Sequence, residues 1–335
     1  MPTWNTRQVG RTALRVTEIG LGTATMGGSR IKVTQTEGQA IVRAAWAAGL
    51  RYFDTAPFYG VGAAEHRVGD ALRDENRDGW VLSTKVGRLL RPRNGPPVNT
   101  DGRISPMPFD VIYDYSYDGI MRSVEDSFQR LGLAKIDILY VHDIGAYQHG
   151  AEANAHHLKI LRDSGYKALD ALRRTGTVSA IGLGVNEKEV LLDALEFGDW
   201  DAFLLAGRYT LLEQGPLDDL IPECLKRGTS IVVGGPLNSG ILAGRDTWNY
   251  DTAPAGIVAR VERIQAICDA HKVPMPAAAF QFPLANPAVC AIIPGPRDAA
   301  EFNANVPLFT HPIPASFWSD MKTAGLVRQD APTPT

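Results

Sequence analysis

The chain is poor in cysteine. It has three in 335 residues, Cys224, Cys268 and Cys290. An odd count without a CxxC pair argues against a disulfide framework and suits a reducing, cytoplasmic setting. Cys268 falls in a helical pattern and Cys290 in an apolar run, so both read as buried and inert. No charge of one sign dominates: Lys+Arg is 34, Asp+Glu is 37 and the net charge is -3. That balance gives no basic surface for tracking nucleic-acid phosphates. No run reaches the roughly 18 apolar residues a membrane helix needs, and the opening MPTWNTRQVGRTALRV lacks a basic segment followed by an apolar one, so no signal peptide is read. His156 and His157 are adjacent, but no third ligand lies at metal spacing, so no metal is expected. A GxGxxG fingerprint is also missing. The expectation is a soluble, cytoplasmic protein with a small-molecule substrate, without nucleic-acid or membrane partners; its oligomeric state is not set by the sequence.

What is present is a rhythm. Short apolar runs at Glu18–Thr23, Tyr52–Ala56, Val81–Val86, Ile138–Asp143, Ala180–Val185, Ala202–Gly207, Ser230–Gly235 and Ala291–Gly295 read as strands buried on both faces of a parallel sheet. Helical patterns lie between them. Thr34 with Glu37 predicts a capping box for a helix through Trp46, with an inward stripe of Ile41, Ala44, Ala45 and Ala48 and a stop at Gly49. Ile120, Val124, Phe128 and Leu131 form a second stripe, closed by Gly132, and Ile257, Val261, Ile264 and Cys268 a further one. Asn186 is a candidate cap for a helix through Leu195. Eight strand–helix units predict an α/β fold, a (β/α)8 TIM barrel, with a doubly wound open sheet as the alternative. The segment Arg7–Val16, turning at Gly10, predicts a small β-hairpin ahead of the barrel. Residues 1–328 read as one domain and 329–335 as a disordered tail. The less regular stretches Leu89–Tyr117 and Ile144–His157 follow strands and are candidate substrate loops.

Four polar residues fall at or just past the ends of three successive strands: Asp54, Tyr59 in DTAPFYG, Lys85 in STKVG and His142 in YVHD. In a barrel these ends converge on one mouth. A phenol with pKa near ~10 is a poor acid or base at neutral pH. A nearby ammonium favours the phenolate, and a carboxylate holds that ammonium in place. An imidazole orients a carbonyl or hydroxyl oxygen. Together the four make a proton-transfer device beside a reacting carbon–oxygen bond. Singly, each has a plain structural reading as a strand-end cap or ion pair.

The motifs GLGTATMGG, FDTAPFYG, LSTKVG, YVHD, GLGVN and IIPGPRD, in this order, resemble those of the aldo-keto reductases, from about Arg7 to Asn305. The resemblance implies a catalytic tetrad of Asp54, Tyr59, Lys85 and His142, with Tyr59 as proton donor or acceptor. It implies a dinucleotide, NAD or NADP, bound in extended form at the barrel mouth without a Rossmann domain. Thr23 and Asp54 then sit near the nicotinamide ribose and Asn186 near the carboxamide. Gly235, Pro236, Leu237, Ser239 and Gly240 match the pyrophosphate loop, where glycine lets backbone N–H groups approach phosphate oxygens. Gly295, Arg297, Glu301 and Asn305 match the adenosine end. Where relatives often carry a ring stacked on the nicotinamide this chain has Gly234, and Tyr209 is a candidate substitute. An acidic Glu301 would repel a 2′-phosphate while Arg297 argues the other way, and the balance favours NAD.

The segment FLLAGRYTLLEQGPL (Phe203–Leu217) is similar to the branch of D-threo-aldose 1-dehydrogenases, L-fucose dehydrogenases and pyridoxal 4-dehydrogenases. That implies oxidation of a sugar or other cyclic hemiacetal to a lactone, with Tyr59, His142, Asp143 and Arg208 as candidate substrate contacts. Pyridoxal oxidation and a general NADPH-dependent aldehyde reductase are the alternatives within the class. From other classes, a nicotinamide-binding regulatory subunit and a phosphate-binding isomerase barrel compete. The first would bind cofactor without turnover, and the second has no use for the Tyr59–Lys85 pair.

Overall fold

The computed structural model describes residues 4–28, 31–95, 104 and 106–335. Eight parallel strands form one sheet: β1 (Leu21–Gly22), β2 (Tyr52–Asp54), β3 (Val81–Val86), β4 (Ile138–His142), β5 (Ala180–Val185), β6 (Ala202–Ala206), β7 (Ser230–Gly234) and β8 (Val289–Ile293). They pair in sequence order. The two edges meet through a parallel bridge, Ile19 to Ile292, with Gly20 N donating to Ile292 O at 2.8 Å and Gly22 N to Pro294 O at 3.0 Å. Closure leaves no open edge to cover. The fold is the expected (β/α)8 barrel, and the expected strands are the observed ones to within a few residues.

The barrel lumen is filled by side chains. Tyr52, Tyr140, Ala202, Leu204, Val232, Ala291 and Ile293 form one apolar cluster, joined from below by Val9 and Val16 of the N-terminal hairpin Thr6–Gln8/Arg15–Thr17. Gly10, at the hairpin turn, has φ +54, and its N–H donates to Ser230 Oγ at 2.8 Å, tying the hairpin to the N-terminal end of β7. The lumen is thus plugged at its floor, which leaves the opposite end, where all eight strands terminate, as the open mouth of the barrel. A second, larger cluster lies between strands and helices.

The helices obey the signals in their sequence. Gln35–Ala47 starts with the Thr34/Glu37 capping box, Glu37 N donating to Thr34 Oγ1 at 3.2 Å and Thr34 N to Glu37 Oε2 at 2.8 Å. Its buried face is Gly38, Ile41, Val42 and Ala45. Tyr117–Leu131 buries Ile120, Val124 and Leu131 and ends at Gly132, φ +61. Each such side chain taken fully from water contributes roughly 1.5–3 kcal/mol.

Three local expectations differ from the structure. Asn186 is not a helix cap: the helix Glu189–Leu195 is preceded by Lys188, without a side-chain cap bond, and the Asn186 amide points elsewhere. The stretches expected to be loops carry elements. Arg88–Pro92 pairs antiparallel with Phe109–Tyr113, and Ala146–His149 and Ala151–Ile160 are helical; part of the first stretch, 96–103 and 105, lies outside the described residues. Residues 329–335, read from sequence as a disordered tail, lie against the body. Ala331 is buried, Gln329 Nε2 donates to Lys322 O at 3.0 Å, and Arg328 pairs with Asp218 and Asp330. Apolar burial and paired charges there offset the ordering entropy that a polar tail of this composition normally does not recover. Among the described residues no helix is long and apolar enough to cross a membrane.

Candidate active site

The C-terminal ends of β2, β3 and β4 carry Asp54, Lys85 and His142, and the turn after β2 carries Tyr59. Lys85 Nζ donates to Asp54 Oδ2 at 2.7 Å and to Thr55 O at 3.0 Å, and Ser83 Oγ donates to Asp54 Oδ1 at 2.7 Å. The ammonium lies 4.7 Å from the centre of the Tyr59 ring. The Tyr59 and His142 rings stand edge to face, 5.7 Å between centroids. The four residues the sequence singled out therefore meet at one place.

The electrostatics differ from the expectation in one respect. Burial, reinforced by the charges of Asp54 and Asp143, pushes the Tyr59 phenol well above its ordinary value. The Lys85 ammonium, bonded to Asp54, does not outweigh these effects in the ligand-free site. Burial, with Arg88 and Lys85 beside it, holds His142 well below the usual imidazole range. Without a ligand the site presents a protonated phenol and a neutral imidazole.

Beside the tetrad opens a cavity of about 680 Å³, within the range of ligand sites. Tyr59, Asp54, Thr23 and Asn186 line its inner end, and Arg208 its wall. Gly235, Pro236, Leu237, Ser239 and Gly240 form a turn along it. Gly295, Arg297, Glu301 and Asn305 line the far end. All the residues matched to a cofactor by sequence thus share one cavity. Lys85, His142 and Asp143 lie behind this lining, His142 being 4 % exposed.

The lining fits a dinucleotide. Thr23 is buried, and its Oγ1 has no hydrogen-bond partner. Asn238, Ser239 and Gly240 have φ of +46, +59 and +103, a run that turns the backbone into a concavity suited to phosphate oxygens. At Gly235, φ +56, a Cβ would find nothing nearer than 3.8 Å, so the chain there leaves open space.

At the far end, Glu301 is not a free carboxylate. Its Oε1 accepts from Arg245 Nη2 at 2.7 Å and its Oε2 from Arg297 Nε at 2.9 Å. Two arginines thus share this one glutamate, with Asp246 also lining the cavity. Arg245 was not legible as a site residue, because it comes from a segment with no recognisable motif.

Tyr209 is buried, its hydroxyl bonded to Asn286 Nδ2 at 3.0 Å and its ring 5.6 Å from Phe282, so it cannot replace a stacking ring in the cavity. The aromatic at the mouth is Tyr250, between the short strands Thr247–Trp248 and Asp251–Thr252, whose hydroxyl accepts from Asn186 Nδ2 at 3.1 Å. Arg208 donates to Asn186 O at 2.7 Å and Asn249 Oδ1 at 2.7 Å and pairs with Glu213. Asp143 pairs with Arg88, a buried arginine that sequence reasoning passed over because it opens a strand outside the barrel instead of ending a barrel strand. All three cysteines are buried.

The chain belongs to the aldo/keto reductase family, whose profile matches residues 18–325. It is an oxidoreductase of that family, with relatives among named dehydrogenases. It is 45% identical over 334 residues to the pyridoxal 4-dehydrogenase of Microbacterium luteolum, covering 96% of this chain and 97% of that one. It is 38% identical over 331 residues to the D-threo-aldose 1-dehydrogenase of a Pseudomonas species, covering 96% of each. Among solved structures, an aldo-keto reductase from Bacillus halodurans superposes with a TM-score of 0.74 at 23% identity, over 96% of each chain, a likeness of fold. Members of the family use nicotinamide cofactors.

Proposed function

We propose that the enzyme oxidises a cyclic hemiacetal to a lactone with a nicotinamide dinucleotide as hydride acceptor. The observation that carries this is the Tyr59–Lys85–Asp54–His142 cluster opening onto a dinucleotide-sized cavity. The oxidised nicotinamide, when bound, supplies the electron sink for the C–H hydride. Thr23, Asp54 and Asn186 would hold its ribose and carboxamide end, Gly235–Gly240 the pyrophosphate, and Gly295, Arg297 and Asn305 the adenosine end. Tyr59 as phenolate takes the anomeric hydroxyl proton, and His142 donates a hydrogen bond that orients the same oxygen. Lys85, fixed by Asp54, offers positive charge to the phenolate as it forms.

The two named relatives act on pyridoxal and on aldoses, and both substrates close to cyclic hemiacetals. The identity of 45% against 38% now favours a pyridoxal-type hemiacetal over the sugar that sequence alone put first. For the cofactor, Arg245 and Arg297 weaken the case for NAD alone, since their partner Glu301 no longer stands as an unopposed negative charge. We retain NAD as the cofactor, with NADP use governed by that ion-pair cluster. Cytoplasmic location and catalytic turnover, in place of a purely regulatory role, belong to the same proposal. The test is formation of reduced nicotinamide with pyridoxal, L-fucose, D-arabinose and L-galactose, each with NAD and NADP. Turnover on one of them supports the reading. Reduction of simple aldehydes by NADPH with none of the four oxidised would replace it.

A further inference from the structure

Arg88 opens the strand Arg88–Pro92 and has no part in the proposed reaction. It is 1 % exposed, its guanidinium 3.8 Å from the centre of the Phe58 ring and 5.1 Å from that of Tyr113. A charge so deeply buried is costly unless paired. Its partner is Asp143, next to His142 in sequence and held at φ +45, a conformation uncommon for a residue with a side chain. Asp143 Oδ2 also stands 3.4 Å from His142 Nε2. On the other side of the ring, Nδ1 is buried and has no partner.

These contacts decide which ring nitrogen carries the proton. With the hydrogen on Nδ1, a buried donor would have no acceptor and the Nε2 lone pair would face a carboxylate. With the hydrogen on Nε2, both conflicts vanish. A lone carboxylate at this place would also favour a doubly protonated, charged ring. Arg88 cancels that pull, so Asp143 selects the tautomer without charging the imidazole.

We infer that Arg88 and Asp143 are positioning residues that fix His142 as the neutral Nε2–H tautomer, the form able to donate to the reacting oxygen. The inference rests on the proposed hydride-transfer reading for its purpose, but its test does not. The charged and titratable groups facing His142 are Arg88, Asp143, Tyr59 and Lys85 with its partner Asp54. Tyr115, which also contacts His149, donates its hydroxyl to the His142 carbonyl at 2.9 Å. Phe58 completes the enclosure.

The experiment is nitrogen-15 NMR of the histidine rings in the ligand-free enzyme, with His142 assigned by its loss in His142→Gln. The expected wild-type state is a single neutral Nε2–H ring near neutral pH. Arg88→Met leaves Asp143 unopposed, and the ring is expected to be protonated at neutral pH. The acid limb of kcat/KM should move up by about one pH unit or more, and Arg88→Lys should restore both. If Arg88→Met does not fold, the double variant Arg88→Met/Asp143→Ala removes both charges together, an exchange folded proteins often tolerate. It is expected to show mixed tautomers. A wild-type ring state in whichever of these variants folds overturns the inference, because a merely structural pair would lower the melting temperature without moving the ring signals. Loss of the hydride-transfer reading would show separately, as full turnover in Tyr59→Phe.

Discussion

At the scale of single residues, the phenol proposed to move the proton starts in the protonation state that oxidation cannot use. Burial keeps Tyr59 protonated well past neutrality, whereas oxidation requires its phenolate. Oxidative kcat is therefore expected to climb with pH through the alkaline range, while aldehyde reduction falls over the same range. Parallel pH profiles in the two directions would contradict Tyr59 as the proton-transfer group. At the far end of the cavity, Glu301→Gln frees Arg245 and Arg297 from their shared partner. The variant should bind NADPH roughly tenfold more tightly relative to NADH, the scale of one charge-assisted contact, as measured by titration of reduced-nicotinamide fluorescence. His149 gives a stability prediction. Partial burial and the neighbouring His157 depress its pKa from 6.5 to about 4. Between those values the unfolded chain binds the extra proton and the native chain does not, so this contribution is fully present above pH 6.5 and is lost as pH falls toward 4. His149→Gln should flatten that part of the acid-unfolding curve, as followed by circular dichroism.

At the scale of elements, glycines in the strands and helices let neighbouring backbones approach closely. A Cβ at Gly182, in β5, would collide with the Ala202 carbonyl oxygen of β6, and one at Gly69 with the Leu131 carbonyl at the end of the neighbouring helix. Gly182→Ala and Gly69→Ala should each cost about 1–3 kcal/mol through forced backbone shifts, read as a lower denaturation midpoint. Periodicity showed where strands and helices lie but not these close approaches, which depend on partners distant in sequence. The same limit explains the other differences. Thr34 and Glu37 announce a cap because the motif is local. Asn186 looks like one too, yet Tyr250, sixty-four positions away, takes its amide. The hairpin Arg88–Pro92/Phe109–Tyr113 was read as a loop because proline, glycine and asparagine fill the connection, masking two short strands.

At the scale of the whole molecule, barrel topology made the tetrad legible. Once eight strands run parallel, residues at their C-terminal ends must share one mouth, so Asp54, Lys85 and His142 were found from spacing, with Tyr59 one turn beyond. The candidate cofactor residues came from family motifs instead, and they lie along one cavity. Arg88 and Arg245 escaped notice because neither sits at the C-terminal end of a barrel strand or in a motif; only the folded chain brings them to Asp143 and Glu301. A dinucleotide spanning this cavity would touch segments from β1 to the helix Ala299–Asn305. Binding to the native state alone should raise the melting temperature with cofactor concentration, by about 2.7 kcal/mol of stability at one hundred times Kd. A melting temperature independent of NAD and NADP would argue against the cavity as their site.

The central claim is that Tyr59 moves the proton while a hemiacetal C–H bond gives up its hydride. The direct test compares wild type and Tyr59→Phe for formation of reduced nicotinamide from pyridoxal or an aldose, with cofactor affinity measured in parallel. The account predicts a loss of at least 10²-fold in kcat with nearly unchanged cofactor Kd. Wild-type turnover in Tyr59→Phe would contradict it.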